Sequence, residues 1–222
     1  MIKYILTHPI QYQSPLIKYI SKNLKIKVLY RSNISVSKFH DEGFSKKVKI
    51  SNELVKGYNY EFLKHFGTNK ITKLKPYTYE FKKKIFDKET KIIWLHGYKN
   101  WYNFILIILS FFFKKKVFVR DEFNLIKKRN SINLLKNKIY FKIIDKFIDA
   151  YLSIGKVNKK ALISFGINKK KIFDVPYVVD NQYFFSKVKK EKNKIIILFS
   201  GKLIHRKGCD ILLKAFKECN KI

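Results

Sequence analysis

The chain has 222 residues, 46% of them hydrophobic and 16% aromatic, with eight glycines and four prolines. At roughly 150 residues per domain this allows one full core and a remnant, and the composition excludes a disordered, collagen-like or low-complexity polypeptide. Lys plus Arg exceed Asp plus Glu by 49 − 16 = 33, which points first to polyanions: nucleic acid, an anionic membrane surface or phosphorylated small molecules.

Ile2 to Thr7 reads as a first strand, followed by Ser14-Pro15 as N-cap and first helical residue and by Leu16, Ile17, Ile20 and Leu24 on one helical face. Lys25 to Tyr30 is the next strand, and the polar stretch from Ser32 to Gly57 is expected to be a long loop or a pair of short elements. Further strands are expected over Tyr60 to Phe66, Lys91 to His96, Lys116 to Arg120 and Asp149 to Ile154. Helices are expected over Tyr77 to Lys88, Trp101 to Phe113 and Ile132 to Phe147. The alternation predicts an α/β fold: a Rossmann-like parallel sheet flanked by helices. The charged stretch 186–194 reads as a linker between a first domain, 1–185, and a second segment, 195–222. In that segment a strand over Ile195 to Phe199 and a helix from about Gly208 are expected, too little to bury a core alone.

Trp101 to Phe113 is 13 residues of apolar character ending in Lys114-Lys115-Lys116, below the roughly 18 to 20 needed to span a bilayer. It is expected to be a buried helix, with an interfacial membrane contact as the alternative. The lysine runs at 82–84, 114–116, 127–129 and 169–171 read singly as solvated faces and together as an attraction to anionic lipid. The N-terminus shows no signal-peptide pattern, and Cys209 and Cys219 are the only cysteines, so a cytoplasmic protein without disulfides or structural metal is expected.

In open parallel sheets ligands sit past the carboxyl ends of the strands. Those positions hold Thr7-His8-Pro9-Ile10-Gln11-Tyr12-Gln13-Ser14, His96-Gly97-Tyr98 and Arg120-Asp121-Glu122. No G-x-G-x-x-G, P-loop, Asp-x-Asp, G-x-S-x-G or H-E-x-x-H pattern occurs, so dinucleotide, P-loop, hydrolase and metalloprotease chemistries lose their usual support.

Three blocks, in order, are similar to the family-four (group 1) glycosyltransferases. Asp149 to Gly155, Gly166-Ile167 and Lys171-Ile172-Phe173-Asp174-Val175-Pro176-Tyr177-Val178-Val179-Asp180 through Phe184 resemble that family's interdomain end. Phe199-Ser200-Gly201-Lys202-Leu203 through Gly208, with Asp210 to Phe216, resembles the opening of its donor-binding domain. His8-Pro9-Ile10-Gln11-Tyr12 and Ser14-Pro15-Leu16 resemble one bacterial branch. The resemblance implies the GT-B fold, with 1–185 as the acceptor-side domain and 195–222 as the incomplete start of a nucleotide-sugar-binding domain. It implies transfer of a sugar, with retention, from a nucleotide-sugar to a cell-envelope glycan or glycolipid such as lipopolysaccharide, with no cofactor and no obligatory metal. Lys202, where the family usually has Arg, and Lys207 would face the donor diphosphate. His96, Arg120 and Glu122 would be catalytic, and His8, Gln11 and Tyr12 would contact the acceptor. A peripheral position at the inner membrane face and a separate C-terminal-domain subunit are the expected partners. The alternative is a nonenzymatic binding module for a partner subunit or an anionic membrane surface. A nucleic-acid binder ranks last: only Arg31, Arg120, Arg129 and Arg206 are arginines, so 49 − 4 = 45 of the cations are dispersed lysines, which lack the bidentate fork of base readout.

Overall fold

The computed structural model describes residues 1–41, 46–48, 51–66, 77–125, 130–179, 181–185 and 195–219. In chain order the strands are β1 (Ile2–Leu6), β2 (Ile26–Tyr30), β3 (Phe39–Asp41), β4 (Lys46–Val48), β5 (Tyr60–Phe62), β6 (His65–Phe66), β7 (Tyr77–Thr78), β8 (Ile92–His96), β9 (Lys116–Asp121), β10 (Ala150–Ser153) and β11 (Ile172–Asp174). The helices are α1 (Ser14–Ser21), α2 (Phe81–Lys84), α3 (Trp101–Phe112), α4 (Ser131–Ile144), α5 (Lys156–Ser164), α6 (Asn181–Phe184) and α7 (Cys209–Cys219).

Seven strands form one sheet in the order β11-β10-β9-β8-β1-β2-β5, and every neighbouring pair is parallel. Such a sheet is covered on both faces, so its central strands are mostly apolar, and the buried Lys3 of β1 is paired with Asp87. The period of two sorts them into two layers. Ile5, Leu29, Ile93, Leu95, Val117, Val119 and Tyr151 point to one side, where they meet Tyr102, Leu106 and Ile107 of α3, Phe141 and Ile144 of α4 and Leu162 of α5. Tyr4, Leu6, Val28, Tyr30 and Trp94 point to the other, against Ile17 of α1 and Val55. The predicted Rossmann-like α/β architecture is therefore present.

The chain runs from β1 outward through β2 to β5, then returns to place β8 on the opposite side of β1. The strand order reverses between β1 and β8, and the adjacent loops diverge there to leave a crevice at the carboxyl ends. His8 follows β1 and His96 ends β8, so both stand at this reversal.

Several expectations change in detail. Ser14 is the first residue of α1 rather than its cap: its hydroxyl donates to the Ile10 carbonyl at 3.1 Å, and Gln13 occupies the cap position. The strand expected over Tyr60 to Phe66 divides after Phe62, and His65–Phe66 pairs antiparallel with Tyr77–Thr78. Of the helix expected over Tyr77 to Lys88 only Phe81–Lys84 is helical. The chain turns at Asp87, whose Oδ1 accepts from the Thr90 amide at 2.9 Å and hydroxyl at 2.6 Å, a local side-chain turn that competes with helix. The 32–57 stretch contains short elements, the β3–β4 hairpin and a 3-10 turn at Asn52–Val55.

The largest change is at Ile195 to Phe199, which forms no strand and leaves Ile195 to Leu198 between 54% and 95% exposed. An apolar segment becomes a strand only where a ladder partner satisfies its backbone. Among the described residues 195–219 the only other regular elements are the 3-10 turn His205–Lys207 and α7. The proposed linker, 186–194, lies outside the described residues, as do Arg129 and Asp180.

Candidate functional site

β8 and β9 pair in a register that sets His96 directly beside Arg120. Because Trp94 pairs with Phe118 in the same ladder, His96 and Arg120 share a face with those two rings, at the carboxyl end of the sheet. The turn after His96 is held in place by Gly97, whose φ of +84° favours a residue without Cβ. The Asn103 side chain from α3 donates to the carbonyls of His96 and Gly97 at 2.8 and 2.7 Å, and the Gly97 amide donates to the Arg120 carbonyl at 2.7 Å.

Arg120 is completely buried. Its Nη2 donates to the carbonyls of Val175 and Pro176 at 3.0 and 2.8 Å, and its guanidinium lies over the Tyr177 ring at 4.4 Å from the centroid. The segment that leaves β11 is thus fastened across the end of β9. Nε and Nη1 of Arg120 meet no protein acceptor at hydrogen-bond geometry, while the guanidinium interacts with the Tyr4 phenol.

Around it stand Tyr4, stacked on Trp94 with centroids 3.9 Å apart, and Gln13, whose Oε1 accepts from the Tyr4 hydroxyl at 3.3 Å. The Gln13 amide nitrogen is 3.4 Å from the ring nitrogens of His96. Burial lowers the His96 pKa to about 4, with the Arg120 charge acting in the same direction. Burial also lowers His8 to about 4, and its Nδ1 has no protein partner. At neutral pH both imidazoles are uncharged, able to accept or donate a hydrogen bond. Burial pushes the Tyr4 phenol well above its usual range, partly opposed by Arg120.

Glu122 is exposed and receives two phenols: the Tyr177 hydroxyl donates to its Oε1 at 2.8 Å and the Tyr12 hydroxyl at 3.1 Å. The two rings meet edge to face at 4.9 Å. Glu122 also lines a cleft of about 230 Å³ with Asn124, Ile154, Gly155, Lys156, Val157 and Asn158. Asn158 closes its floor by donating to the Phe123 carbonyl at 2.6 Å. Beside it, burial raises the Asp121 carboxyl to about 6, against the opposing hydrogen bonds of the Tyr98 and Phe123 amides.

Of the residues expected from sequence, the structure brings together His96, Arg120, Glu122 and Tyr12, and places His8 at the same rim. Gln11 is exposed, and the glutamine of the cluster is Gln13. The chain rises from the β1 loop so that the cap position, not the loop's middle, faces inward. Lys202 and Lys207 lie in the 195–219 segment, Lys207 at the end of the 3-10 turn before α7 and beside Gly201, and Lys202 ahead of that turn. Tyr4, Gln13 and Tyr177 were not singled out. Tyr4 is signalled by its parity with Leu6 in β1, and Tyr177 by its place in the Val-Pro-Tyr block. Among the described residues no group of three or more His, Cys, Asp or Glu could hold a metal ion, and no helix is long and apolar enough to cross a membrane.

No family model matches the chain. No curated protein matches it either. Among solved structures, the crystal structure of Anabaena Alr3699/HepE in complex with UDP and glucose aligns over 84% of this chain with a TM-score of 0.54 and 11% identity. The chain spans about half the length of that protein, 46% of it. At that identity the likeness is one of fold, and it establishes that these residues adopt a Rossmann-like α/β domain also found in a structure that holds UDP and glucose.

Proposed function

We propose that the chain is a glycosyltransferase of the GT-B fold, or the N-terminal part of one, of the family-four type. It would move a sugar, with retention and without an obligatory metal or cofactor, from a nucleotide-sugar to a cell-envelope glycan or glycolipid at the cytoplasmic membrane face. The observation that carries this is the buried polar cluster of Arg120, His96 and Gln13 at the point where the strand order reverses, with Arg120 Nε and Nη1 free of protein acceptors. A buried cation whose donors meet no protein acceptor is a place where an oxygen of a water or a ligand can bind. The fold shared with a structure holding UDP and glucose supports a sugar or its nucleotide as that ligand.

In this reading Arg120 donates to oxygen that gains negative charge as the sugar bond breaks, and donors fixed in a dry site stabilise such charge strongly. Neutral His96 positions a hydroxyl, and the Glu122 carboxylate, exposed and oriented by two phenols, accepts the proton that the acceptor hydroxyl releases. His8 and Tyr12 line the acceptor side. Lys202 and Lys207 belong to the donor diphosphate, where cations offset the leaving charge.

The test is turnover of a panel of nucleotide-sugars by the purified chain, alone and with cell extract. Release of nucleoside diphosphate that is lost in Lys207→Ala supports the reading. Absence of both turnover and nucleotide-sugar binding in either condition overturns it in favour of a binding module.

A further inference from the structure

Helix α4 is apolar on two opposite faces. Phe141 and Ile144 point into the core. On the far side Ile132, Leu135, Ile139 and Ile143 follow one another at intervals of three, four and four residues, which at 3.6 residues per turn is a single ridge. They are 61%, 59%, 52% and 51% exposed. Lys136 flanks the ridge on one side and Lys138 and Lys142 on the other, and the helix contains no acidic residue. The end of α3 extends the feature: Phe111 and Phe112 are exposed at 60% and 71%. Phe111 meets Phe147, just past α4, at 5.5 Å between centroids, and Lys114 to Lys116 follow.

A helix of a water-soluble domain shows one apolar stripe, toward its core. A second stripe facing outward, edged by cations only, fits a partner that is apolar inside and anionic at its surface. A second copy of this chain fails the charge requirement, since each copy carries +33 and the two faces would repel. An anionic lipid bilayer meets both requirements: the ridge enters the acyl boundary while the lysines remain among the headgroups, their stems lying along the ridge.

We infer that α4, with the end of α3, is an amphipathic surface that seats the domain on an anionic bilayer in the interface plane. α4 follows β9, so its amino-terminal end, with Ile132, stands on the strand-end side of the sheet that carries Glu122. This seating gives a surface to the membrane-face position proposed above, on which it rests, and its test needs no sugar-transfer activity.

Because the whole chain is basic, charge alone will draw it to anionic vesicles, so the decisive variant leaves charge untouched. Ile132, Leu135, Ile139 and Ile143 are replaced together by Ser, and cosedimentation is measured at about 0.15 M salt on vesicles of roughly one-third phosphatidylglycerol in phosphatidylcholine, and on phosphatidylcholine alone. The expected result is binding to the mixed vesicles that falls on the order of tenfold or more in the variant, with much weaker binding to phosphatidylcholine. A second protein, Leu135→Trp, reports insertion directly: its emission shifts to the blue on adding the mixed vesicles. Equal binding of wild type and the Ser variant, or no shift in Leu135→Trp, would overturn the inference by reducing the attraction to charge. Wild-type self-association abolished by the Ser variant would overturn it by assigning the face to a second copy, and failure to bind vesicles alongside binding to an acidic protein would assign it to that protein.

Discussion

Replacing Arg120 by Met keeps most of the side chain's volume and removes its charge and donors. The loss comprises two charge-assisted hydrogen bonds to Val175 and Pro176, about 1.5 kcal/mol each at the low end, and the stacking on Tyr177, about 1 kcal/mol. The gain is relief of a fully buried guanidinium whose Nε and Nη1 have no acceptor, about 1–3 kcal/mol for each unsatisfied group. The two sides nearly cancel, so Arg120→Met should cost at most about 2 kcal/mol, a fall in Tm of less than roughly 8 °C for a domain of this size. Local structure should respond more than global stability: amide exchange at Val175 and Tyr177 to Val179 should rise while the β8 and β9 amides stay protected. Chemical denaturation combined with hydrogen exchange reads both quantities. A loss above about 4 kcal/mol would overturn this expectation, because it would mean that every donor of Arg120 is already satisfied by protein, leaving none for a ligand.

Three further outcomes follow from the same geometry. His8 and His96 have folded pKa values near 4, below the ordinary 6.5 of the unfolded chain, so the unfolded state binds more protons between these limits and stability falls as pH drops from 6.5 toward 4. Each histidine contributes a slope of about 1.4 kcal/mol per pH unit. Asp121, raised to about 6, contributes the opposite sign between pH 4 and 6, leaving a net slope near that of one histidine; His96→Asn should flatten it in pH-dependent denaturation. Gly97→Ala forces a Cβ onto a φ of +84° with Asp121 Oδ2 3.4 Å away, and should cost roughly 1–2 kcal/mol with a fall in His96-dependent ligand binding, whereas unchanged stability would place the strain elsewhere. Leu106→Ala in α3, fully buried in the larger core cluster, should cost about 2–5 kcal/mol in urea denaturation.

The sheet was legible from sequence because its strands are short apolar runs buried on both faces, as Lys91 to His96 and Lys116 to Arg120 show, with an amphipathic or apolar helix after each. Elements failed where local chemistry overrode periodicity. Asp87 turns the chain at Thr90 and ends a helical pattern, and Ile195 to Leu198 has the composition of a buried strand but no partner strand among the described residues. The rim residues His8, His96, Arg120 and Glu122 follow from the rule that loops past strand ends hold ligands. Their mutual arrangement does not, since it depends on the β8–β9 register and on a segment 55 positions from Arg120 that returns to cover it. Gln11 and Gln13 are equivalent by type in one short loop, and only the path of the backbone into α1 decides which amide reaches His96. The outward ridge of α4 was hidden for a related reason: a helix apolar on two faces has no dominant stripe, and sequence alone does not say which face meets the core.

The role proposed for the His96–Arg120–Glu122 rim is to hold and react a sugar. The most direct measurement is transfer of labelled sugar from UDP-glucose and other nucleotide-sugars into a cell-envelope glycolipid fraction, comparing wild type with Glu122→Gln and His96→Ala, both checked for unchanged folding. Wild type should place label in the lipid, and each variant should lose on the order of a hundredfold or more, the scale of a positioned proton acceptor. Transfer undiminished in both variants, or no transfer and no nucleotide-sugar binding by wild type with or without extract, would contradict it.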